Sequence, residues 1–291
     1  MLGAFAILAL LSVLGLGGLF ASLFLEHRSK LTLPTPTGSF AIGRVVYDWT
    51  DDAKLDTLAP ATGTKRELLV WIWYPAASGR SATTMGDYVP AQMLAKGDYA
   101  SAPLIFRLLT RAPSKVHGHS LRDPDVSAQQ RSYPVAIMRA RASAQVANYS
   151  TLAEDLASHG YVVVDFDAPY RTNVVVFPEG RVMARRLENN PELAIGALDS
   201  ARRINKLISA WTGDIKFILD RLQRLNDTDS SGKFKGRLDM ANVGIFGHSF
   251  GGATAAQFCH DDSRCKAGID VDGAPLGNVV QEGLHRPFCL S

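Results

Sequence analysis

The pattern of apolar and polar positions sets an N-terminal segment apart from the rest of the chain. Residues 1–25 carry no charged side chain, and the first charge is Glu26. About 20 apolar residues suffice to cross a bilayer as a helix, whereas a signal-peptide core has only ~7–15. The segment also lacks a basic start. We therefore expect an uncleaved membrane anchor, with a cleaved signal peptide and a buried core helix as the alternatives.

The residues after this segment bear on its orientation. His27, Arg28 and Lys30 follow it, which favours a cytoplasmic C-terminal side by charge counting. Long domains can cross a membrane regardless of such charges, so the rule decides little. We expect a membrane-anchored or secreted protein whose domain lies outside the cytoplasm. Residues 26–40 are a predicted linker, because 33–40 is rich in Pro, Gly and Thr.

Beyond the linker, strand-like and helix-like segments alternate. The predicted strands are 68–74, 134–138, 161–166, 243–246 and 267–271, and the predicted helices are 150–158, 193–225 and 251–258. Such alternation, with β-branched apolar runs, indicates an α/β fold: a mostly parallel central sheet with helices on both faces. Residues 77–133 are irregular and are expected to form an insertion that frames a binding cleft. The predicted domain is 41–291.

Composition and charge exclude several classes of protein. A hydrophobic content of 46% is typical of a globular protein. The net charge of +3, without a long basic run, argues against nucleic acid as a partner. Three cysteines are too few for a disulfide framework, and without a CxxC pair we predict no metal site. Cys259 and Cys265 either pair in an oxidising compartment or are buried free thiols.

The clearest chemical motif is a serine between glycines. Residues 247–251 read Gly-His-Ser-Phe-Gly, after an apolar strand and before a helix of small residues. This strand–turn–helix setting is the one that a nucleophile elbow requires, because the strained serine needs small neighbours. We predict that Ser249 is a nucleophile near backbone N–H groups that stabilise an oxyanion. A chance glycine-rich turn is the alternative.

A serine nucleophile needs a base and a carboxylate that orients the base. Asp272 follows the predicted strand 267–271, at the sheet edge where parallel α/β sheets collect active sites. Asp270 is its competitor, one step deeper in the strand and on the same face by alternation. We favour Asp272, and the alternative for either residue is a helix cap or a surface turn.

Together these motifs resemble the plasma-type platelet-activating factor acetylhydrolases. The similarity is carried by residues 247–254 with Asp272, by 66–76 as the first core strand and by 156–163 as a helix-to-strand turn. It covers residues 38–290. The resemblance implies an α/β-hydrolase fold and a calcium-independent serine esterase that needs no cofactor. Such enzymes remove short or oxidised acyl groups from the sn-2 position of phospholipids, and microbial relatives are broad esterases or lipases.

The resemblance also implies roles for particular residues. The family's nucleophile falls on Ser249, its triad aspartate on Asp272, and one oxyanion N–H on Phe250. The second oxyanion N–H comes from a glycine-containing loop, which here reads Arg-Ala-Arg-Ala-Ser-Ala over 139–144. By position its donor is Ala142. Loss of the glycine restricts φ and is expected to turn this N–H elsewhere.

The triad histidine is the second departure from the family. It belongs on a loop after the final strand, whereas this sequence ends just after a strand predicted over 287–290. We therefore expect a chain that lacks its last strand, a helix and the base, so that its activity is doubtful. His285 is a possible substitute base, while the ring of His248 is expected to point away from the base site. The alternatives are an inactive protein of the same fold and a polyester or dienelactone hydrolase.

Overall fold

The N-terminal segment forms one long helix. The computed structural model describes residues 2–77, 85–87 and 103–291. Helix α1 (Leu2–Arg28) is exposed along almost its whole length. Its stretch Gly3–Arg28 has a mean hydropathy of 2.3 and is long and apolar enough to cross a membrane. An N-terminal apolar helix is thereby confirmed.

The remaining elements form one large sheet with helices around it. The strands are β1 (Leu31–Thr32), β2 (Ala41–Leu55), β3 (Lys65–Ala76), β4 (Met85–Asp87), β5 (Val116–Arg122), β6 (Tyr133–Arg139), β7 (Val162–Asp167), β8 (Val174–Val176), β9 (Val182–Ala184), β10 (Leu238–His248), β11 (Cys265–Val271) and β12 (Phe288–Leu290). The helices after α1 are α2 (Leu104–Leu109), α3 (Ser150–Ser158), α4 (Pro191–Ile195), α5 (Ser200–Thr228), α6 (Phe250–Asp261) and α7 (Val279–Glu282).

The sheet is mostly parallel, as predicted. Its strand order is β1-β5-β2-β3-β7-β6-β10-β11-β12, with β4 paired to β5. Strand β3 runs antiparallel to both β2 and β7, whereas β7, β6, β10, β11 and β12 are mutually parallel. The carboxyl ends of these five strands therefore meet at one edge, which is where active sites collect in such sheets.

Alternate residues of strand β3 show how the two faces of the sheet are covered. Val70 and Ile72 belong to a core that includes Ile218 of α5 and Phe258 of α6. Trp71 belongs to a second core, together with residues of α3. Both faces are fully buried, which explains the continuous apolar run in the sequence. The predicted α/β architecture with helices on both faces is confirmed.

The helix predicted over 193–225 is in fact two helices. The short α4 ends at Ile195 with Gly196 as its C-cap, and α5 begins at Ser200. The side chain of Asn190 accepts a hydrogen bond from the backbone N–H of Glu192, so that α4 has its own N-terminal cap. Apolar residues continue through the break between the two helices, so the periodicity of the sequence predicts a single helix.

Two regions predicted as irregular are partly ordered against the sheet. Within 77–133, strands β4 and β5 join the sheet, while 78–84 and 88–102 lie outside the described residues. The cleft predicted there is therefore not described as a whole. In the linker, the backbone N–H of Thr37 donates to Asp155 of α3 at 2.7 Å. The segment thus packs on α3.

Candidate active site

Ser249 lies in a strained turn between β10 and α6. Its backbone angles are φ 56° and ψ −124°, a conformation that non-glycine residues seldom adopt. Phe250 is the first residue of α6, so its N–H has no acceptor within the helix. The N–H of Ser249 itself donates to the carbonyl of Val271 at 2.8 Å. The turn is therefore joined to the end of β11, with the serine at the helix N-terminus as the motif predicts.

Close backbone contacts explain both glycines of the motif. A Cβ atom on Gly247 would lie 2.3 Å from the carbonyl carbon of Gly251. A Cβ atom on Gly251 would lie 2.3 Å from the carbonyl oxygen of Arg139 at the end of β6. Neither contact can be relieved by a side-chain rotation, because both neighbours are backbone atoms. The geometry therefore requires glycine on both sides of the serine.

Asp272 lies at the same sheet edge as Ser249. It follows β11 directly, has a left-handed φ of 55°, and its side chain is 90% exposed. Its Oδ2 atom is 3.9 Å from Nε2 of His248. The carboxylate is therefore free to bond a further group at this edge.

Asp270 occupies a different environment from Asp272. It is 1% exposed and packs beneath the first turn of α6. A Cβ atom on Gly252 would lie 1.7 Å from its Oδ1 atom. Burial raises the pKa of Asp270, and the backbone N–H of Gly273 opposes this rise. The left-handed turn at Asp272 ends the alternation, so the two carboxylates do not share one face as the strand pattern predicts.

The loop that carries Ala142 keeps a tight turn without glycine. The N–H of Ala144 donates to the carbonyl of Arg141 at 3.1 Å, and Ser143 has a φ of 73°. A positive φ at the third position of a turn ordinarily calls for glycine. Here a serine adopts the left-handed conformation. Ala142 itself is half-buried.

Arg139 is enclosed by aromatic rings and cannot meet a phosphate. It is 1% exposed, and its guanidinium carbon lies 4.2 Å from the ring centre of Phe166 and 4.3 Å from that of Trp211. Trp211 in turn packs edge-on against Phe250 at 4.9 Å. Burial thus removes Arg139 from solvent and from any ligand at the sheet edge. Arg141 is exposed.

The histidines are distributed differently from the sequence prediction. The ring of His248, expected to point away from the base site, lies between Asp272 and the hydroxyl of Tyr149. His285 is exposed in the loop before β12. Among the described residues, no hydrogen bond or ion pair joins His285 to Ser249 or Asp272. His285 thus stays a prediction as a substitute base.

The disulfide left open by the sequence is formed. Cys259 near the end of α6 pairs with Cys265 at the start of β11, with a Cα–Cα distance of 5.1 Å. The bridge links the helix that begins after Ser249 to the strand that ends before Asp272. Cys289 is free and exposed. Over the described part of the chain, no group of three or more His, Cys, Asp or Glu residues could hold a metal ion.

Sequence reasoning missed a group of buried charges beside the site. Arg171 forms ion pairs with Asp56 at 2.8 Å and with Asp214 at 3.1 Å, and all three are essentially inaccessible to solvent. Asp214 also pairs with Arg66 at 3.2 Å. The partners are distant in sequence, so no local motif announces them. The sequence signals this group at one position, where Asp214 interrupts the apolar residues on the buried face of α5.

The fold and the elbow together define an α/β-hydrolase fold with a serine at the nucleophile position. In line with this, 90% of the chain superposes on "Ferulic acid esterase from Streptomyces cinnamoneus" with a TM-score of 0.72 and 26% identity, covering 68% of that structure. Residues 203–290 match the family described as "Platelet-activating factor acetylhydrolase, isoform II". The resemblance predicted from the sequence is confirmed.

Two curated relatives carry names of the same kind. A protein of Arthroderma benhamiae named "Probable 1-alkyl-2-acetylglycerophosphocholine esterase" is 23% identical over 88% of this chain and 62% of its own length. The "Platelet-activating factor acetylhydrolase" of Cavia porcellus is 28% identical over 54% of this chain and 39% of its own length. The chain thus spans less than two thirds of these relatives. Their names agree with the predicted class of serine ester hydrolase.

Proposed function

We propose that this chain is a serine carboxylic-ester hydrolase that removes short acyl groups from phospholipids or related lipophilic esters. The observation that carries the proposal is the elbow, where Ser249 combines a strained backbone with two glycines that close backbone contacts require. Strain of this kind persists where the surrounding structure enforces it, and it is characteristic of functional sites. The names of the relatives supply the class of substrate.

The proposed reaction proceeds through an acyl-enzyme. The Ser249 oxygen bonds the acyl carbon, the bond from that carbon to the alcohol oxygen breaks, and the alcohol leaves with the serine proton. Water then releases the acid by the same steps. The N–H groups of Phe250 and Ala142 stabilise the oxyanion. Asp272 orients a histidine base, and His285 is the residue of this chain to be tested for that role.

Membrane attachment through α1 is part of the proposal. The helix would keep the domain next to lipophilic esters, and apolar burial of this kind is not screened by salt. The buried disulfide supports a location outside the cytoplasm, since disulfides persist in oxidising compartments. Membranes washed with high salt or carbonate should retain the intact chain. Release of the intact chain by salt alone would contradict the anchor, and a shorter soluble form would indicate cleavage.

A second candidate is hydrolysis of aryl or polymeric esters. It is favoured by the likeness to a ferulic acid esterase over 90% of the chain. The two candidates use the same Ser249 chemistry and differ only in the substrate. A panel of a 2-acetyl phosphocholine lipid, a feruloyl ester and p-nitrophenyl acetate separates them by their relative kcat/KM.

The decisive experiment is labelling of the full chain with a fluorophosphonate. We expect one adduct per chain on Ser249, complete loss of the adduct in Ser249→Ala, and an unchanged adduct in Ser263→Ala, an exposed serine 14 positions on. Loss of labelling in His285→Ala at an unchanged melting temperature would identify the base. An adduct that persists in Ser249→Ala, or a folded wild-type chain that takes up no reagent, would overturn the proposal and favour an inactive protein.

A further inference from the structure

The loop 139–145 holds a conformation that its own sequence does not favour. Ser143 is left-handed, and non-glycine residues adopt such a φ only uncommonly. The predicted donor, the N–H of Ala142, lies between Ser143 and Arg141. Its direction therefore depends on how these neighbouring peptide groups are held, and contacts from outside the turn must hold them.

One such contact comes from Tyr149, seven residues after Ala142. The N–H of Arg141 donates to the Tyr149 hydroxyl at 3.2 Å. The same hydroxyl lies 2.8 Å from Nδ1 of His248. The two rings meet edge to face, with centres 6.1 Å apart. The hydroxyl thus connects the loop to the residue that immediately precedes Ser249.

The hydrogen-bonding capacity of the two side chains fits this arrangement. A tyrosine hydroxyl has one proton to donate and can accept from another group. When it accepts from Arg141 and donates to Nδ1 of His248, the ring proton of His248 resides on Nε2. That nitrogen faces Oδ2 of Asp272 at 3.9 Å. With its proton on Nε2, His248 accepts the bond from Tyr149 at Nδ1 and directs an N–H towards Asp272.

We propose that Tyr149 and His248 are positioning residues that brace the oxyanion loop against the nucleophile elbow. The inference rests on the role proposed for the N–H of Ala142. The brace aligns the peptide before Ala142 with Ser249. It touches no reacting atom, so its loss should leave the fold and the Ser249 hydroxyl in place.

The test compares Tyr149→Phe with Tyr161→Phe in the full chain in detergent micelles. Tyr161 is a partly exposed tyrosine outside the site and serves as the matched control. We expect hydrogen exchange at the Arg141 and Ala142 amides to accelerate at least about fivefold in Tyr149→Phe, the value of one lost hydrogen bond. Fluorophosphonate labelling of Ser249 should slow by about 5- to 100-fold, below the ~10²–10³ of an entirely lost donor.

The His248 variants provide an independent second arm. His248→Asn retains a polar atom near the position of Nδ1 and should stay within about threefold of the wild-type labelling rate, whereas His248→Leu should behave like Tyr149→Phe. The melting temperatures of Tyr149→Phe and Tyr161→Phe should agree. If Tyr149→Phe does not fold, the contrast between Asn and Leu at position 248 decides.

The outcomes separate the brace from the proposed function. Unchanged loop exchange and labelling in Tyr149→Phe, or equal behaviour of His248→Asn and His248→Leu, would overturn the brace. A wild-type chain that is not labelled would overturn the function, while amide exchange would still test the brace. Faster exchange without slower labelling would show that the loop is braced but that Ala142 is not the donor, which also contradicts the inference.

Discussion

The two halves of the proposed oxyanion site are held in place by different means. Around Ser249 the support is backbone against backbone, with two glycines that permit contacts no other residue allows. In the loop 139–145 one backbone bond, from the N–H of Asn173 to the carbonyl of Ser143 at 3.1 Å, is supplemented by side chains. Tyr149 bonds the peptide of Arg141, and Arg185 donates to the hydroxyl of Ser143. One half is specified locally, and the other depends on residues brought in by the fold.

The two halves also differ in the buried contacts that join them to the rest of the fold. On the elbow side, the disulfide between Cys259 and Cys265 joins α6 to β11. On the loop side, Arg139 lies between Phe166 and Trp211, with Asp165 at 4.0 Å. A buried cation needs compensation for its lost hydration, whereas a disulfide needs none. The loop half should therefore be the more sensitive to a change in charge.

Arg139→Met should break the loop half with the largest effect on stability. The substitution keeps much of the apolar contact with the rings but leaves Asp165 buried without its cation. Removing one member of a buried pair costs roughly 3–5 kcal/mol. Urea unfolding at pH 8 should show this loss, and at pH 5 the loss should be smaller because Asp165 is then protonated.

The double variant sharpens that result. Arg139→Met combined with Asp165→Asn removes both charges, and replacing a whole buried pair is often nearly neutral. We expect the double variant to recover at least half of the stability lost by the single one. A double variant no more stable than Arg139→Met would show that Asp165 is not the group left uncompensated.

The sequence predicted the elbow half of the site better than the loop half. The elbow was predictable because its strain is visible as glycines within a five-residue motif, and the parallel strands were predictable from apolar runs. The side-chain supports were not, since Tyr149 and His248 are 99 residues apart. Strand β2 was not predicted either, because charged residues such as Arg44 and Asp51 stand at its buried positions.

Gly251→Ala should break the elbow half. The added methyl group would lie 2.3 Å from the Arg139 carbonyl, so either β6 or α6 must shift. Overpacking of this kind costs typically about 1–3 kcal/mol, and we expect the upper end together with loss of fluorophosphonate labelling. Gly196→Ala is the matched control, because its Cβ would meet no atom within 4 Å. Equal labelling of both variants would contradict the backbone argument.

Opening the disulfide should have a smaller effect on the same half. Cys259 and Cys265 are six residues apart, and closing so short a loop in the unfolded chain contributes about 2 kcal/mol. Cys259→Ser with Cys265→Ser should lower the melting temperature accordingly, and labelling at 25 °C should persist because the elbow contacts remain. Cys289→Ser is the control. A double serine variant as stable as wild type would show that the disulfide does not stabilise the elbow half.

A pH dependence of stability is the last effect expected on the loop side. Burial raises the pKa of Asp165 from its usual 3.8 to about 7, with the charge of Arg139 opposing. The folded state therefore holds a proton that the unfolded chain releases, so this stabilisation is fully present below about pH 4 and is lost as pH rises through 7. Wild type should lose more stability between pH 5 and pH 8 than Asp165→Asn in urea unfolding. Burial also raises the pKa of Asp48, to about 6, at a site outside the loop, so Asp48→Asn should flatten the profile separately and the effect of Asp165→Asn should persist in that background. Parallel stability profiles for wild type and Asp165→Asn would show that Asp165 does not hold this proton in the folded state. The loop half would then differ from the elbow half only in its packing.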